Sequence, residues 1–488
     1  LNFLNSDATL SNTITHSRSG NATMVASDGL IKWAPHNLKT YSEDFTNISW
    51  LKSNSTVTGN TVIAPDGTLT GDRWVINNGA TSYYAANFNS TVAISASTSY
   101  TASIYVKNNG LNKFGFQLVA RTSGDVYISD AKINIDLSTE TILSTDTGTF
   151  TNVTSSINNV GNGWYRVSVS GTTPATTALG VIGVFEADSP NTVTGDGTSG
   201  VYIWGAHLYR SDLGGMAPVP AGERSFPSAS TYVPTTSSAR YLPRVGHHVY
   251  NGSAWVNEGL LAESEARVNL IQYSIPDSNW TTSGAPAITE DAAVSPDGAT
   301  NASKLEETAT TSYFAAGYYV TQSASTQYTY SVFAKAAERS KFYLRGTYKA
   351  NNDWSGAFFD LSAETATATN GSSATSSVQS ASITDAGNGW YRCSVTYTTS
   401  NAPLPSDPRI GISDGTAQAN INGVAPYAGT AGSGIYVYGS QVEAGPTPSS
   451  YIPTAGSTVT RAAETFTIPA ANLPWPTETY GPELVTNG

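Results

Sequence analysis

The chain has 488 residues, and 24 Lys and Arg stand against 36 Asp and Glu, for a formal net charge of -12. Because a domain usually holds roughly 100–200 residues, this length predicts more than one domain. The acidic balance and the lack of clustered Lys and Arg exclude a typical nucleic-acid binder and disfavour an anionic membrane surface. No run of about 18 apolar residues is present that could cross a bilayer.

Charged residues make up 12% of the chain, about half of the roughly 25% typical of soluble domains. Ser, Thr, Asn and Gly take their place and predict a neutral, polar surface. The single cysteine, Cys393, excludes Cys-rich metal sites. It lies in the apolar alternation of a predicted strand, which indicates a small core residue rather than a nucleophile.

The two ends of the chain differ from those of a complete precursor. It begins at Leu1 with no signal segment, and Glu483–Gly488 resembles the start of another strand. We therefore expect a piece of a longer polypeptide. Residues 1–36 are predicted to form a strand-rich lead-in, with a short strand at 23–26 and a turn at Asp28-Gly29.

An internal repeat pairs residues 37–238 with residues 269–461. Ten landmarks recur in the same order at offsets of 219 to 234 residues. The longest identity is Gly-Asn-Gly-Trp-Tyr-Arg, at Gly161–Arg166 and again at Gly387–Arg392. We predict two copies of one domain, called copy 1 and copy 2 below.

The segments outside the two copies also have strand patterns. In residues 239–268, the pair Asn251-Gly252 separates two short apolar runs, which predicts a β-hairpin connector. Residues 462–488 are predicted to form a second connector or the start of a further module.

Within each copy, apolar residues alternate with polar ones, as at Tyr100, Ala102, Ile104 and Val106. This period of two is typical of half-buried strands, and Gly, Asn, Asp and Pro clusters separate the strands. No window has a helical stripe. The predicted fold is all-β, with two tandem jelly-roll β-sandwich domains joined by short β-rich connectors.

The repeated Gly-Asn-Gly-Trp-Tyr motif supplies positive-φ turn positions that lead into a strand. Because its two rings alternate faces, one ring should enter the core and the other should lie outward or under a loop. We interpret the motif as a packing device; sugar stacking by the outward ring is the alternative.

The histidines do not form a recognisable catalytic setting. They are His16, His36, His207, His247 and His248, and copy 2 has none. His207 corresponds to Gln441 and is predicted to be a neutral surface residue. Since neighbours on a strand point to opposite faces, His247 and His248 are a poor metal pair. We expect no enzymatic activity within these residues.

Three carboxylate positions recur in both copies, and a turn or cap explains the two aspartate pairs. A calcium ion held by one carboxylate and backbone carbonyls is a second interpretation, for which Asp136 and Asp360 are weak candidates. No other cofactor is expected. The recurring pairs are Asp66 with Asp297, Asp136 with Asp360, and Glu140 with Glu364.

Carbohydrate contact is the function that the surface favours. Sugars present flat apolar faces edged with hydroxyls, so their receptors combine aromatic rings with polar side chains. For each aromatic residue, core filling is an equally good interpretation. The candidates are Tyr83, Tyr84, Tyr313, Phe314, Trp50, Trp280, Trp354, Arg121 and Arg345.

These landmarks resemble a module of tailed-bacteriophage head spike and tail fibre proteins, which is related to non-catalytic carbohydrate-binding jelly rolls. The segments that carry the resemblance are 37–50, Pro65-Asp66-Gly67, Gly161–Arg166, 202–206 and 230–235, all restated in copy 2. The lead-in at 14–19 and 28–30 resembles the family's preface, but the linker from Trp33 to Asn37 is shorter than is usual in the family.

The resemblance implies a virion fibre or spike, exposed to the extracellular medium, that mediates host attachment by binding a cell-surface polysaccharide. It also implies contacts with other virion proteins and a homotrimer, with no nucleic acid and no membrane insertion. Two alternatives stay open: binding modules of a secreted polysaccharide-degrading enzyme, and a purely structural fibre shaft.

Overall fold

The computed structural model describes residues 14–80, 84–86, 92–185, 194–349, 353–371, 373–401, 405–415 and 426–468. These residues form strands and one short 3-10 turn at Ala221–Glu223, with no α-helix among them. No helix in this part of the chain is therefore long and apolar enough to cross a membrane. The all-β prediction is confirmed.

The strands of the lead-in and of copy 1 come first in the chain. The lead-in holds β1 (Thr15–Ser17), β2 (Thr23–Val25), β3 (Ile31–Trp33) and β4 (His36–Asn37). Copy 1 holds β5 (Leu51–Ser53), β6 (Ser55–Val62), β7 (Gly71–Ile76), β8 (Tyr84–Ala86), β9 (Val92–Ala93), β10 (Ser99–Asn109), β11 (Lys113–Arg121), β12 (Tyr127–Asp136), β13 (Thr141–Asp146), β14 (Thr151–Gly161), β15 (Trp164–Thr172), β16 (Leu179–Phe185) and β17 (Gly200–Arg210).

The connector and copy 2 follow. The connector holds β18 (Arg240–Tyr241), β19 (Arg244–Tyr250) and β20 (Trp255–Leu261). Copy 2 and the residues after it hold β21 (Arg267–Asn269), β22 (Thr281–Ser283), β23 (Ala287–Val294), β24 (Thr300–Glu306), β25 (Thr311–Ser312), β26 (Phe314–Gly317), β27 (Val320–Thr321), β28 (Gln327–Ala336), β29 (Lys341–Lys349), β30 (Asp353–Asp360), β31 (Thr365–Asn370), β32 (Ser377–Asp385), β33 (Trp390–Thr398), β34 (Pro405–Ser406), β35 (Arg409–Ser413), β36 (Tyr427–Ala428), β37 (Gly434–Ala444), β38 (Val459–Arg461) and β39 (Thr465–Thr467).

Each copy is a sandwich of two antiparallel sheets, as the jelly-roll prediction requires. In copy 1 the first sheet has the order β14-β15-β10-β17-β7-β6, and the second has β13-β12-β11-β16-β8-β5, with β9 on β16. In copy 2 the first sheet is β23-β24-β37-β28-β33-β32 and the second is β22-β26-β35-β29-β30-β31. The alternating apolar residues fill the space between the two sheets. Cys393 is buried there, so its prediction as a core residue is confirmed.

The outer face of each first sheet carries a second aromatic cluster. In copy 1, Tyr105, Trp164, Trp204 and Tyr232 are covered by Phe226 of the same copy. In copy 2 the corresponding rings are Phe333, Trp390, Tyr438 and Tyr451, and Ile31 of the lead-in packs on them. The lead-in is thus bound to copy 2, where the Ile31 N–H donates to the carbonyl of Pro296 at 2.9 Å.

Two-stranded sheets connect the lead-in with the connector and with the segment that follows copy 2. β19 and β20 form the hairpin that Asn251-Gly252 predicts. β2 pairs with β3, and β4 with β18. β1 pairs with β39, with His16 opposite Phe466, so the lead-in also contacts the segment that follows copy 2.

Candidate functional site

Several of the predicted sugar-binding aromatics lie in the cores. Trp50 and Trp280 are buried, and their indole Nε1 groups donate to the carbonyls of Tyr41 and Tyr273 at 3.0 and 2.9 Å. Phe314 and Trp354 are buried in the core of copy 2. These four rings stabilise the sandwiches and present no face to solvent.

The candidates of copy 1 have other placements. Tyr83 lies outside the described residues, and of Tyr84 only the backbone position in β8 is described, opposite Phe185. Arg121 is half-buried and forms an ion pair with Asp125 Oδ1 at 2.7 Å, so it holds the turn between β11 and β12.

Tyr313 and Arg345 lie near the outer face of the second sheet of copy 2. On β29 and β35, Phe342 and Leu344 face Ile412 and Ile410 in the core. The alternate positions therefore point outward, with Tyr343 opposite Gly411 and Arg345 opposite Arg409. We call Tyr343, Arg345, Phe358, Asp407 and Arg409 the arginine–aspartate patch.

The centre of the patch is one carboxylate shared by two guanidinium groups. Arg345 Nη2 donates to Asp407 Oδ2 at 3.0 Å, and Arg409 Nη2 donates to the same oxygen. Asp407 Oδ1 and Arg409 Nε are buried and have no hydrogen-bond partner in the described part of the chain. Arg345 and Asp407 are only 2% and 5% exposed, so the unpaired acceptor and the unpaired donor lie side by side just beneath the surface.

Aromatic rings border these groups. Tyr343 lies over Gly411, where a Cβ atom would come within 2.1 Å of the ring, so only glycine leaves room for it. Phe358 meets Tyr343 edge-on, with ring centroids 6.1 Å apart. Burial raises the pKa of Tyr343 despite the opposing charges of Arg345 and Arg409, and its hydroxyl is neutral at pH 7. Phe358 and Tyr313 are half-buried and form the accessible edge.

Copy 1 has different residues at the matching positions. Gly115, Gln117 and Gly183 stand where copy 2 has Tyr343, Arg345 and Arg409. Asn134 takes the position of Phe358, and its amide donates to Ser144 Oγ at 2.9 Å. The patch is thus confined to copy 2.

The repeated acids are used in turns. Asp136 Oδ1 accepts from the Ser138 N–H at 2.9 Å, and Asp360 Oδ1 accepts from the Ser362 N–H at 3.0 Å. Among the described residues, no group of three or more His, Cys, Asp and Glu side chains is placed to hold a metal ion. Asp136 and Asp360 have the geometry of turn caps.

Asp66 and Asp297 also accept hydrogen bonds within their turns, and Asp297 accepts another from outside its turn. Asp66 Oδ1 accepts from the Thr68 N–H at 2.9 Å. Asp297 is buried and accepts from the Ala299 N–H at 2.8 Å and from the Tyr438 hydroxyl at 2.9 Å.

The Gly-Asn-Gly-Trp-Tyr motif is a packing device. Trp164 and Trp390 are buried in the outer clusters of the two first sheets. The tyrosine that follows donates its hydroxyl to the repeated glutamate, Tyr165 to Glu140 at 2.8 Å and Tyr391 to Glu364 at 3.0 Å.

The prediction that His207 lies at the surface is wrong. The side chain is fully buried, and its Nε2 lies 2.8 Å from the carbonyl oxygen of His36. His36 comes from the lead-in, so the partner that buries His207 is distant in sequence.

No protein-family model matches this chain. No curated protein matches it either. Solved structures that resemble this chain include two with CBM22 modules. One is the tandem CBM22-1–CBM22-2 domain of Paenibacillus barcinonensis Xyn10C, at 10% identity and a TM-score of 0.27, covering 85% of this chain and 98% of that one.

The other is the CBM22-1–GH10 part of Clostridium thermocellum xylanase 10B complexed with xylohexaose, at 17% identity and a TM-score of 0.22. The match covers 36% of this chain and 28% of that one, so this chain spans under a third of its length. Both likenesses are too remote to identify a ligand of this chain.

Proposed function

We propose that this chain is a non-catalytic glycan-binding protein and that the arginine–aspartate patch of copy 2 is its carbohydrate-contacting surface. The observation that carries this proposal is the buried, unpaired acceptor of Asp407 beside the buried, unpaired donor of Arg409, under the half-buried ring of Phe358. Adjacent sugar hydroxyls each donate and accept, so they match such a pair. The apolar face of the sugar ring would pack on Phe358 or Tyr313.

The non-catalytic part of the proposal is supported by how the chain uses its acids and histidines. Asp136 and Asp360 cap turns, and His36 and His207 are buried against backbone groups. These groups stabilise the fold and do not converge on the patch.

The finer proposal is that the chain belongs to a tailed-phage fibre or spike exposed to the extracellular medium, where it attaches to host polysaccharide. It rests on the motif resemblance. A homotrimer would carry one patch on each chain. Linked sites of this kind raise avidity without new contacts, which suits a weak sugar site.

The test is glycan-dependent binding of the full chain to host cells, measured before and after removal of the capsular and lipopolysaccharide glycans. Phe358→Ala and Arg409→Gln should each weaken binding by about tenfold, since a stacked ring or a charged hydrogen bond contributes about 1–2 kcal/mol. The matched controls in copy 1, Asn134→Ala and Gln117→Ala, should leave binding unchanged.

Two outcomes would overturn the proposal. One is a folded chain that shows no glycan-dependent binding, which would favour a structural shaft. The other is binding that both copy 2 variants leave intact.

A further inference from the structure

A cavity of about 210 Å³ lies where the lead-in, the connector and copy 2 meet. Its walls combine apolar side chains, Ile31 and Phe333 among them, with the polar groups of Arg392, His247 and Glu263. It is separate from the arginine–aspartate patch, which lies on the other sheet of copy 2. Three segments distant in sequence therefore build one site.

Arg392 is less well partnered than its counterpart in copy 1. Arg166 donates to Ser103 Oγ at 2.9 Å, to the carbonyl of Thr231 at 3.2 Å and to the Thr231 hydroxyl. Arg392 donates to Ser331 Oγ at 3.2 Å, and its Nε is buried without a hydrogen-bond partner among the described residues. Its guanidinium also lies over the Phe333 ring, 5.4 Å from the centroid.

The residue that corresponds to Thr231, the partner of Arg166, forms its hydrogen bonds with other side chains in copy 2. Ser450 is the counterpart of Thr231, and its hydroxyl donates to Glu263 Oε2 at 2.7 Å and accepts from Arg244 Nη1 at 2.9 Å. Gln441, which replaces His207, donates to Glu443 Oε1 at 2.6 Å. Arg392 thus keeps the serine contact of copy 1 but has lost the contacts that Arg166 makes with Thr231.

The three nearby glutamates also form ion pairs or hydrogen bonds with other groups. Glu263 lies 2.6 Å from Arg244 Nη2 and 3.1 Å from Arg461 Nε, and Glu464 pairs with Arg18 and Arg244. Glu443 accepts from the Ser449 N–H at 2.8 Å. The cluster has four arginines, Arg18, Arg244, Arg392 and Arg461, against these three glutamates, so one positive charge is left over. Burial lowers the pKa of Arg392, and Glu443 and Glu263 only partly oppose this shift.

A second donor lies on the same cavity. His247 Nδ1 accepts the Val25 N–H at 3.2 Å. Burial lowers the pKa of His247 to about 4, so the ring is neutral at pH 7 and Nε2 carries its proton. The cavity therefore combines excess positive charge, two N–H donors and apolar walls.

We propose that this cavity binds a small organic carboxylate, with the carboxylate on Arg392 and His247 and the rest of the molecule against Ile31 and Phe333. A carboxylate supplies the missing charge and accepts from the guanidinium. Since the ligand would contact the lead-in, the connector and copy 2 together, binding would hold these segments in place.

The test is calorimetric titration of the full chain with sodium glucuronate, with glucose and sodium chloride as probes at matched ionic strength. We expect saturable binding of glucuronate and none of glucose. Arg392→Gln should weaken it by about tenfold or more, as expected for loss of a charged hydrogen bond. His247→Phe, which keeps a ring in place, should weaken it severalfold. Arg166→Gln, the matched change in copy 1, should leave it unchanged.

Circular dichroism identifies any variant that fails to fold, in which case the other cavity variant decides. The proposal is overturned if the wild-type chain does not bind glucuronate, if glucose binds equally well, or if the folded cavity variants bind as tightly as the wild type.

Discussion

Copy 1 and copy 2 share a scaffold but differ in what lies on their outer faces. Both keep the buried tryptophan of the Gly-Asn-Gly-Trp-Tyr motif and the hydrogen bond from the next tyrosine to a glutamate. On the second sheet, copy 2 has Tyr343, Arg345 and Arg409 where copy 1 has Gly115, Gln117 and Gly183. The repetition therefore identifies residues needed for folding, and the differences identify the surface that can bind.

The two copies also differ in how the first sheet is covered. Copy 1 has 26 residues between Gly205 and Tyr232, and Phe226 in this segment covers its own aromatic cluster. Copy 2 has 11 residues between Gly439 and Tyr451, and the lead-in residue Ile31 covers its cluster instead. Copy 2 thus depends on a segment that precedes copy 1 in the chain.

The largest loss of stability is expected when the ion cluster of Arg244, Glu263 and Glu464, which joins the lead-in, the connector and copy 2, is broken. Arg244→Met removes a fully buried guanidinium from Glu464 and Glu263 and should destabilise the chain by about 3–5 kcal/mol. Urea unfolding measures the change. The exposed Arg240→Ala in the same connector is the control and should change stability by less than about 0.5 kcal/mol. Equal effects would show that the cluster does not anchor copy 2.

Substitution of Ile31 should destabilise copy 2, and substitution of Phe226 should destabilise copy 1. Ile31→Ala should cost about 2–5 kcal/mol and Phe226→Ala about 3–5 kcal/mol, since each leaves a cavity over buried rings. Hydrogen exchange should rise in β28 and β37 for Ile31→Ala and in β10 and β17 for Phe226→Ala. The same exchange pattern in both variants would contradict the assignment of one cover to each copy.

Lowering the pH should loosen the contact between the lead-in and copy 1, where His36 and His207 are buried. Burial lowers the pKa of His36 to about 4 from 6.5 and also lowers that of His207. Between these values the unfolded chain binds protons that the folded chain does not, so stability falls as the pH drops from 6.5 to 4. For His36 the limit is about 3 kcal/mol, and Asp72, whose pKa burial raises to about 6, contributes in the opposite direction.

Copy 2 itself contains no histidine, but His247 of the connector, whose pKa burial lowers to about 4, bonds the lead-in strand beside it. Hydrogen bonds from His16 and Arg244, together with the charges of Arg244 and Arg18, lower the pKa of Glu464 against its burial, so the stability from this cluster is lost only as the pH falls below 4.5. Hydrogen exchange at pH 7, 5 and 4 should rise in β17, which pairs with the segment around His36, as the pH falls. Unchanged exchange in β17 would contradict this prediction.

The smallest effect is expected where the copies agree. Tyr165→Phe and Tyr391→Phe each remove an exposed hydrogen bond to a glutamate, and each should cost about 0.5–1.5 kcal/mol. Thermal unfolding of the two variants should give equal shifts. A large difference would mean that the motif has another role in one copy.

Sequence reasoning found the repeat and the strands because period-two alternation and Gly-Asn turns are local patterns. It did not find Asp407 and Arg409, which are 62 and 64 residues from Arg345 and have no counterparts in copy 1. A search for repeated residues discards such positions. The pair itself is no clue, because Arg210 with Asp212 and Glu265 with Arg267 have the same spacing.

The sequence by itself determined the all-β class, the duplication, the core position of Cys393 and the hairpin at Asn251-Gly252, because local alternation and turn chemistry specify these features. The tertiary structure decided which face each aromatic residue takes, which segment covers each cluster and which charges meet. His207 is buried because His36 pairs with it from 171 residues away. Arg392 lines a cavity because Ser450 binds Glu263 instead. Such contacts join residues distant in sequence, and no local pattern encodes them.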